Sequence, residues 1–251
     1  MHCAMAVMAK VPRSGAVKTR LVPPLTAAEA TALSGAFLCD MTANIALAGG
    51  MAPIAGYVAY APAGAEAGFA GILAPNTGLV LADGAGPMSA GVRGIGRSLL
   101  HATRALLATG ADSVCLVNAD SPTLPTAILV EAATTLLRSG PRLVLGPAED
   151  GGYYLIGLKA AEPHLFADIA WSTSAVADQT RERAAELGLE VVLLPAWYDV
   201  DDPAALARLL SELVGGGRPP GPAPFSAPAT AAVLAGLELA GRPGLEAAVP
   251  A

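Results

Sequence analysis

Short apolar runs separated by longer stretches rich in alanine and leucine constrain this chain most strongly. Cys3–Ala9, Ile54–Tyr60, Leu79–Leu81, Ser113–Asn118, Arg142–Leu145, Tyr153–Leu158 and Glu190–Leu194 are too short for core helices and read as strands. Between them the spacing predicts helices. The first opens at Thr26-Ala27-Ala28-Glu29, a capping box, and runs to about Leu47. Another follows the glycine-rich turn Asp83–Gly86 and runs to Thr109, stopping at Gly110. Pro125–Ser139, Ser174–Leu187 and Pro203–Leu213 complete the set. Strands spaced by helices predict an α/β chain built from βαβ units, with a mostly parallel sheet covered by helices on both faces.

Charge narrows the function. Only 14% of residues are charged and the formal net charge is −6. No run of Lys or Arg supplies the basic face that binding to nucleic acid needs, so no nucleic-acid partner is expected. The three cysteines are odd in number and lack a CxxC, and the three histidines form no ligand-spaced pair. A disulfide framework, a zinc site and a Ser-His-Asp triad are therefore not expected, and a reducing cytoplasm is the simplest location. The mean hydropathy of +0.52 raises the question of a membrane span. The uncharged stretch Met41–Ala65 is broken by Gly49, Gly50, Pro53, Gly56 and Pro62, so no span is expected, and the N-terminus lacks a basic leader region. From Gly215 to Ala227, eight of thirteen residues are Gly or Pro. That shift sets a catalytic domain at 1–214 and a linker and tail at 215–251, with Pro228–Ala240 as a possible further helix.

In an open parallel sheet, ligands sit beyond the carboxyl ends of the strands. Four loops there carry the unusual residues. Lys10–Leu21 follows the first strand and holds two of the three lysines, Lys10 and Lys18, with Arg13, Arg20, Thr19 and Gly15. Clustered cations beside free N–H groups suit a di- or triphosphate; the alternative is a solvated basic loop. Asn118-Ala119-Asp120-Ser121-Pro122 offers an Asp as an Mg²⁺ ligand or an Asx turn. Glu149-Asp150-Gly151-Gly152-Tyr153-Tyr154 offers close backbone approach to a ligand or a hairpin-like turn. Asp199-Val200-Asp201-Asp202-Pro203 offers a second metal contributor, a helix cap at Asp202, or both.

These segments, with Gly146-Pro147, Leu155–Leu158 and Trp171-Ser172-Thr173, occur in order and resemble the bacterial DUF2064 group of GT-A-type transferases over about residues 3–213. That group is often labelled as glycosyltransferases and is related to MobA-like and CofC-like nucleotidylyltransferases. The resemblance implies a GT-A, nucleotide-diphosphosugar transferase fold, Rossmann-like and mixed at one edge of the sheet. It implies Asp120 as the DxD-like metal residue, Asp199 and Asp201 as further ligands for Mg²⁺ or Mn²⁺, and Lys18 and Arg20 near the phosphates. It places Asp150, Gly151, Gly152, Tyr153, Trp171, Ser172 and Thr173 near sugar or acceptor. The implied partners are a nucleotide-sugar or a nucleoside triphosphate, and a small acceptor. Two features depart from the group: Asn118-Ala119-Asp120 supplies one carboxylate, and Gly84–Met88 lacks charged residues.

Overall fold

In the first strand of the computed structural model, β1 (Cys3–Lys10), alternate residues enter opposite cores: Cys3, Met5 and Val7 join one cluster, Ala4 and Ala6 the other. Such two-sided burial is what a central parallel strand requires. The structure describes residues 1–213, 221–239, 241, 242 and 245. The other strands are β2 (Ile54–Ala61), β3 (Gly78–Leu81), β4 (Ser113–Val117), β5 (Arg142–Pro147), β6 (Tyr153–Leu158) and β7 (Glu190–Leu193). They form one sheet in the order β3-β2-β1-β4-β6-β5-β7. All neighbours are parallel except β6, which runs antiparallel to both β4 and β5. The cause is local: residues 148–152 are too few for a crossover, so β6 must return beside β5 as a hairpin. The antiparallel strand is thus third from the β7 edge rather than at the edge itself.

Helices α1 (Ala27–Gly49), α3 (Thr126–Leu136), α5 (Pro203–Leu213) and α6 (Pro228–Ala235) contribute to one cluster, and α2 (Ile95–Leu107) and α4 (Val176–Glu186) to the other. The capping box at α1 is present in full: the Glu29 N–H donates to Thr26 Oγ1 at 3.2 Å and the Thr26 N–H donates to Glu29 Oε2 at 2.8 Å. By length and composition α1, rather than Met41–Ala65, is the stretch that could cross a membrane, but 56% of its most apolar window is buried inside the protein. Its apolar residues face the sheet on one side and α6 on the other. The helix expected directly after Gly86 starts only at Ile95, because Pro87 and the positive-φ glycines Gly91 and Gly94 interrupt it. The stretch read as a linker falls partly at residues 214–220, outside the described residues.

Candidate functional site

The parallel strands β1, β3, β4, β5 and β7 all end at one side of the sheet, and β6 begins there, so the loops after them converge. After β1 the chain turns through Gly15 (φ 74°), around which no atom crowds, and reaches Lys18 in a left-handed conformation (φ 49°, ψ 36°). The short 3-10 turn Thr19–Leu21 follows, and the fully buried Leu21 anchors it by donating its N–H to the Lys18 carbonyl. This turns the Lys18 side chain inward, where it is 5% exposed. Its ammonium lies 2.6 Å from Asp120 Oδ1 and 3.0 Å from Asp201 Oδ1, and donates to the Val200 carbonyl at 2.7 Å. Burial alone would lower the Lys18 pKa; the Asp120 and Asp201 carboxylates outweigh it and hold the pKa above its ordinary value.

The two aspartate loops are tied to each other as well as to Lys18. The Val200 N–H donates to the Asp120 carbonyl at 2.8 Å, and Ser121 Oγ donates to the Tyr198 carbonyl at 2.8 Å. Asp202 caps α5 by accepting the Ala205 N–H at 2.8 Å. Asp199 has no cation beside it among the described residues. Burial, then the Asp201, Asp150 and Asp120 charges, push its pKa up to about 6. Asp150 sits at the β5–β6 hairpin and spends one oxygen, Oδ1, on the Gly152 N–H at 2.8 Å.

Two cavities open at this point and share Met8, Arg20 and Asp201. The first, of about 340 Å³, is lined by Lys10, Lys18, Thr19, Arg20 and Asp120. The second, of about 430 Å³, runs between α2 and the segment after Trp171. Ile95, Leu99, Trp171 and Val176 give it apolar lining, and Asn118, Asp150, Gly152, Ser172, Thr173 and Ser174 add polar groups and backbone. Trp171 approaches α2 so closely that a Cβ on Gly96 would lie 2.8 Å from its ring. Ser172 takes a left-handed φ of 64°, and Thr173 Oγ1 donates to the Ala170 carbonyl, which fixes the segment beyond Trp171. Gly151 (φ 90°) admits the Ser174 backbone, which would lie 2.3 Å from a Cβ there. This close approach is what requires glycine.

The residues expected from the sequence divide accordingly. Lys10, Lys18, Thr19, Arg20, Asp120 and Asp201 surround the first cavity, and Asp150, Gly152, Tyr153, Trp171, Ser172 and Thr173 the second. Arg13 and Gly15 are exposed and line neither. Gly151 shapes the second cavity from behind, through Ser174. The Tyr153 hydroxyl is buried without a hydrogen-bond partner among the described residues and burial pushes its pKa upward, so Tyr153 offers its ring rather than an ionisable group. The Asp150 loop is both a hairpin and part of the site, as the Asp202 segment is both a cap and part of an acidic cluster. Met8, Ile95, Leu99 and Val176 were not singled out by sequence; they are ordinary apolar residues, and chain topology alone brings them together with Asn118, which the sequence offered only as the first residue of the Asp120 loop. The uncharged loop Gly84–Met88 takes its charge from α2: Arg97 donates to the Gly84 and Gly86 carbonyls at 3.0 and 2.9 Å.

Several solved structures share this architecture. A candidate nucleotide-diphospho-sugar transferase from Desulfovibrio desulfuricans G20 is 27% identical, with a TM-score of 0.76 over 94% of this chain and 95% of that one. A CMP:2-keto-3-deoxy-manno-octonic acid synthetase complexed with CTP is 11% identical, with a TM-score of 0.53 over 86% of this chain and all of the other, a likeness of fold alone. No curated protein matches in sequence. The family model whose description reads "Uncharacterized protein conserved in bacteria (DUF2064)" matches residues 45–173, just over half of the chain. With the nucleotide-diphospho-sugar transferase fold established, that match makes the chain a member of the DUF2064 family.

Proposed function

We propose that this protein is a glycosyltransferase dependent on Mg²⁺ or Mn²⁺, moving a sugar from a nucleotide-diphosphosugar to a small acceptor. The observation that carries the reading is the junction of the two cavities. One is lined by fixed cations and carboxylates, the other by a tryptophan, aliphatic walls and a polar rim, and Arg20 and Asp201 stand at both. A donor with a charged diphosphate and a ring on either side of it matches that division. The 27% identical structure is itself called a candidate nucleotide-diphospho-sugar transferase, which supports the same substrate class.

Asp120 and Asp201 present the hard carboxylate oxygens that such a cation takes, with Asp199 close by. Two carboxylates suffice, since phosphate oxygens and waters complete the shell. Asp199, half-buried near three other carboxylates, is an uncompensated charge of the kind a divalent cation relieves. Bound there, the cation would neutralise charge developing on the leaving diphosphate. Arg20 and Lys10 line the same cavity and act on that charge from the β1 loop by electrostatic stabilisation, and Lys18, which rests on Asp120 and Asp201, joins them once it is released. Trp171, Val176, Ile95 and Leu99, the apolar lining of the second cavity, hold the ring and exclude water. The second oxygen of Asp150 accepts a hydroxyl of the sugar or the acceptor and orients it.

A nucleotidylyltransferase is the second reading, favoured by one observation: three fixed cations, Lys10, Lys18 and Arg20, suit a triphosphate. In it a phosphorylated or phosphonate acceptor displaces pyrophosphate from CTP or GTP. In either reading residues 1–214 form the catalytic domain, and the protein acts in the cytoplasm. Incubation with nucleotide-sugars and with CTP and GTP, in Mg²⁺ or Mn²⁺, separates the readings. Release of nucleoside diphosphate is expected. Release of pyrophosphate instead would replace the first reading with the second, and release of neither would leave a nucleotide-binding module without catalysis.

A further inference from the structure

Lys18 stands where a phosphate-binding lysine would not be expected to rest. Its ammonium is surrounded by three hard oxygens, Asp120 Oδ1, Asp201 Oδ1 and the Val200 carbonyl, at 2.6 to 3.0 Å. This is the oxygen set of a small cation site, with the lysine itself as the cation. A divalent ion on Asp120 and Asp201 and an ammonium touching the same two oxygens would repel each other strongly in a partly dry site. The first cavity opens beside this cluster, lined by Lys10, Thr19 and Arg20, and gives the side chain space into which to move. The backbone that carries it permits the movement: residues 13–16, 19 and 20 are exposed, and the loop is held from within chiefly by the Ala16-to-Arg13 and Leu21-to-Lys18 hydrogen bonds.

We infer that Lys18 is a resident counter-ion of the acidic cleft, seated on Asp120 and Asp201 when no metal is bound. A divalent cation displaces it, and the released ammonium turns into the first cavity, where the phosphates bind. The inference rests on the metal-dependent reading above, and extends it: one side chain couples cation binding to phosphate binding. The site keeps a cation on its carboxylates in either state, and Lys18 reaches the phosphates only after the metal has arrived.

Because the chain has three lysines, the exchange can be followed directly on the wild-type protein. The full chain is acetylated with an N-hydroxysuccinimide ester at fixed pH, and each lysine is quantified by peptide mass spectrometry. Lys159 serves as the internal reference for the change on adding metal, since it follows β6, which ends at the far side of the sheet, and its ammonium is held by the Arg138 and Gly140 carbonyls there. Calorimetric titration with MnCl₂ alone measures metal binding in parallel. The ratio of the Lys18 rate to the Lys159 rate should rise at least tenfold from the metal-free protein to saturating Mn²⁺. Lys18 still protected while calorimetry shows Mn²⁺ bound would overturn the exchange and leave the metal-dependent reading standing. Lys18 reactive in both conditions would show that it does not reside on the carboxylates. No Mn²⁺ binding at all would overturn the exchange and the metal reading together. Lys18→Met adds a second measure: it should bind Mn²⁺ at least tenfold more tightly than wild type, and equal affinity would show that ammonium and metal do not compete.

Discussion

Two sets of carboxylates lie on this chain, and they are satisfied in opposite ways. On α1, Asp40 is 1% exposed, yet its two oxygens accept the Ala229 and Thr230 N–H groups at 3.0 and 2.7 Å, at the start of α6. Glu29 takes a two-pronged contact from Arg242 at 2.7 and 2.9 Å. Each tail-binding carboxylate therefore has partners that belong to it. In the cleft, Asp120 and Asp201 share one ammonium, and Asp199 is left against like charges. Of these carboxylates Asp40 alone is fully buried, whereas Asp120 and Asp201 in the cleft stay 36% and 45% exposed, so burial does not mark a carboxylate as functional. What distinguishes the cleft is that two carboxylates share one ammonium and a third has no cation beside it among the described residues, the arrangement that the proposed metal would relieve.

The contrast breaks first at Asp120. Asp120→Ala removes a proposed metal ligand and one partner of Lys18, so turnover should fall by about a thousandfold. Steady-state kinetics with the best nucleotide substrate measures it, and turnover within a few-fold of wild type would remove Asp120 from the metal site. Asp40→Ala should do the reverse. It strips both acceptors from the α6 N-terminus in a buried place, at a cost of about 2 kcal/mol, and leaves the activity of the folded protein unchanged. Urea denaturation read alongside the kinetics separates the two effects. A loss of activity from Asp40→Ala at full stability would erase the distinction between the regions.

A third substitution tests whether the apolar wall belongs to the site. Gly96→Ala places a methyl group 2.8 Å from the Trp171 ring and 3.1 Å from the Phe166 carbonyl, so the ring must shift. The second cavity changes shape while the carboxylates stay in place. KM for the nucleotide substrate should rise about tenfold, with metal affinity unaltered, and an unchanged KM would mean that Trp171 does not contact the ligand.

The same division explains what the sequence disclosed. Charge is scarce here, so Lys18, Asp120 and Asp201 stood out at strand ends, and the structure brings both carboxylates within 3.0 Å of the Lys18 ammonium. Thr26 and Glu29 announced the α1 start because a capping box is local chemistry, complete within four residues. What needed the third dimension was hidden. Nothing local distinguishes Ile95 and Leu99 from the buried leucines of α2; they line a cavity because the helix begins late and Trp171 comes back to it from far along the chain. Lys18 was visible as a cation, but its burial depends on Leu21 anchoring the turn and on two loops about 100 and 180 residues away. The antiparallel β6 follows from the shortness of a connection between strands, a cue that residue patterns in either strand do not carry.

The smallest expected effect belongs to Glu29 and has a pH signature. The Arg242 fork first, then the Thr26 N–H, hold the Glu29 pKa at about 2, against an ordinary value of 4.5. A depressed acid pKa contributes stability that is present above the unfolded value and is lost as pH falls through the folded one. Glu29→Gln should therefore cost about 1 kcal/mol at neutral pH, less than the full shift would suggest, because solvent screens a surface pair. The difference from wild type should shrink as pH falls from about 4.5 and vanish only below about 2, where both side chains are neutral. Urea midpoints across that range measure it. A gap that stayed constant down to the lowest pH would mean that Glu29 acts through the shape of the cap rather than through its charge. The tail would then be held by Asp40 and apolar packing, and the two sets of carboxylates would differ in having, or lacking, any electrostatic role at all.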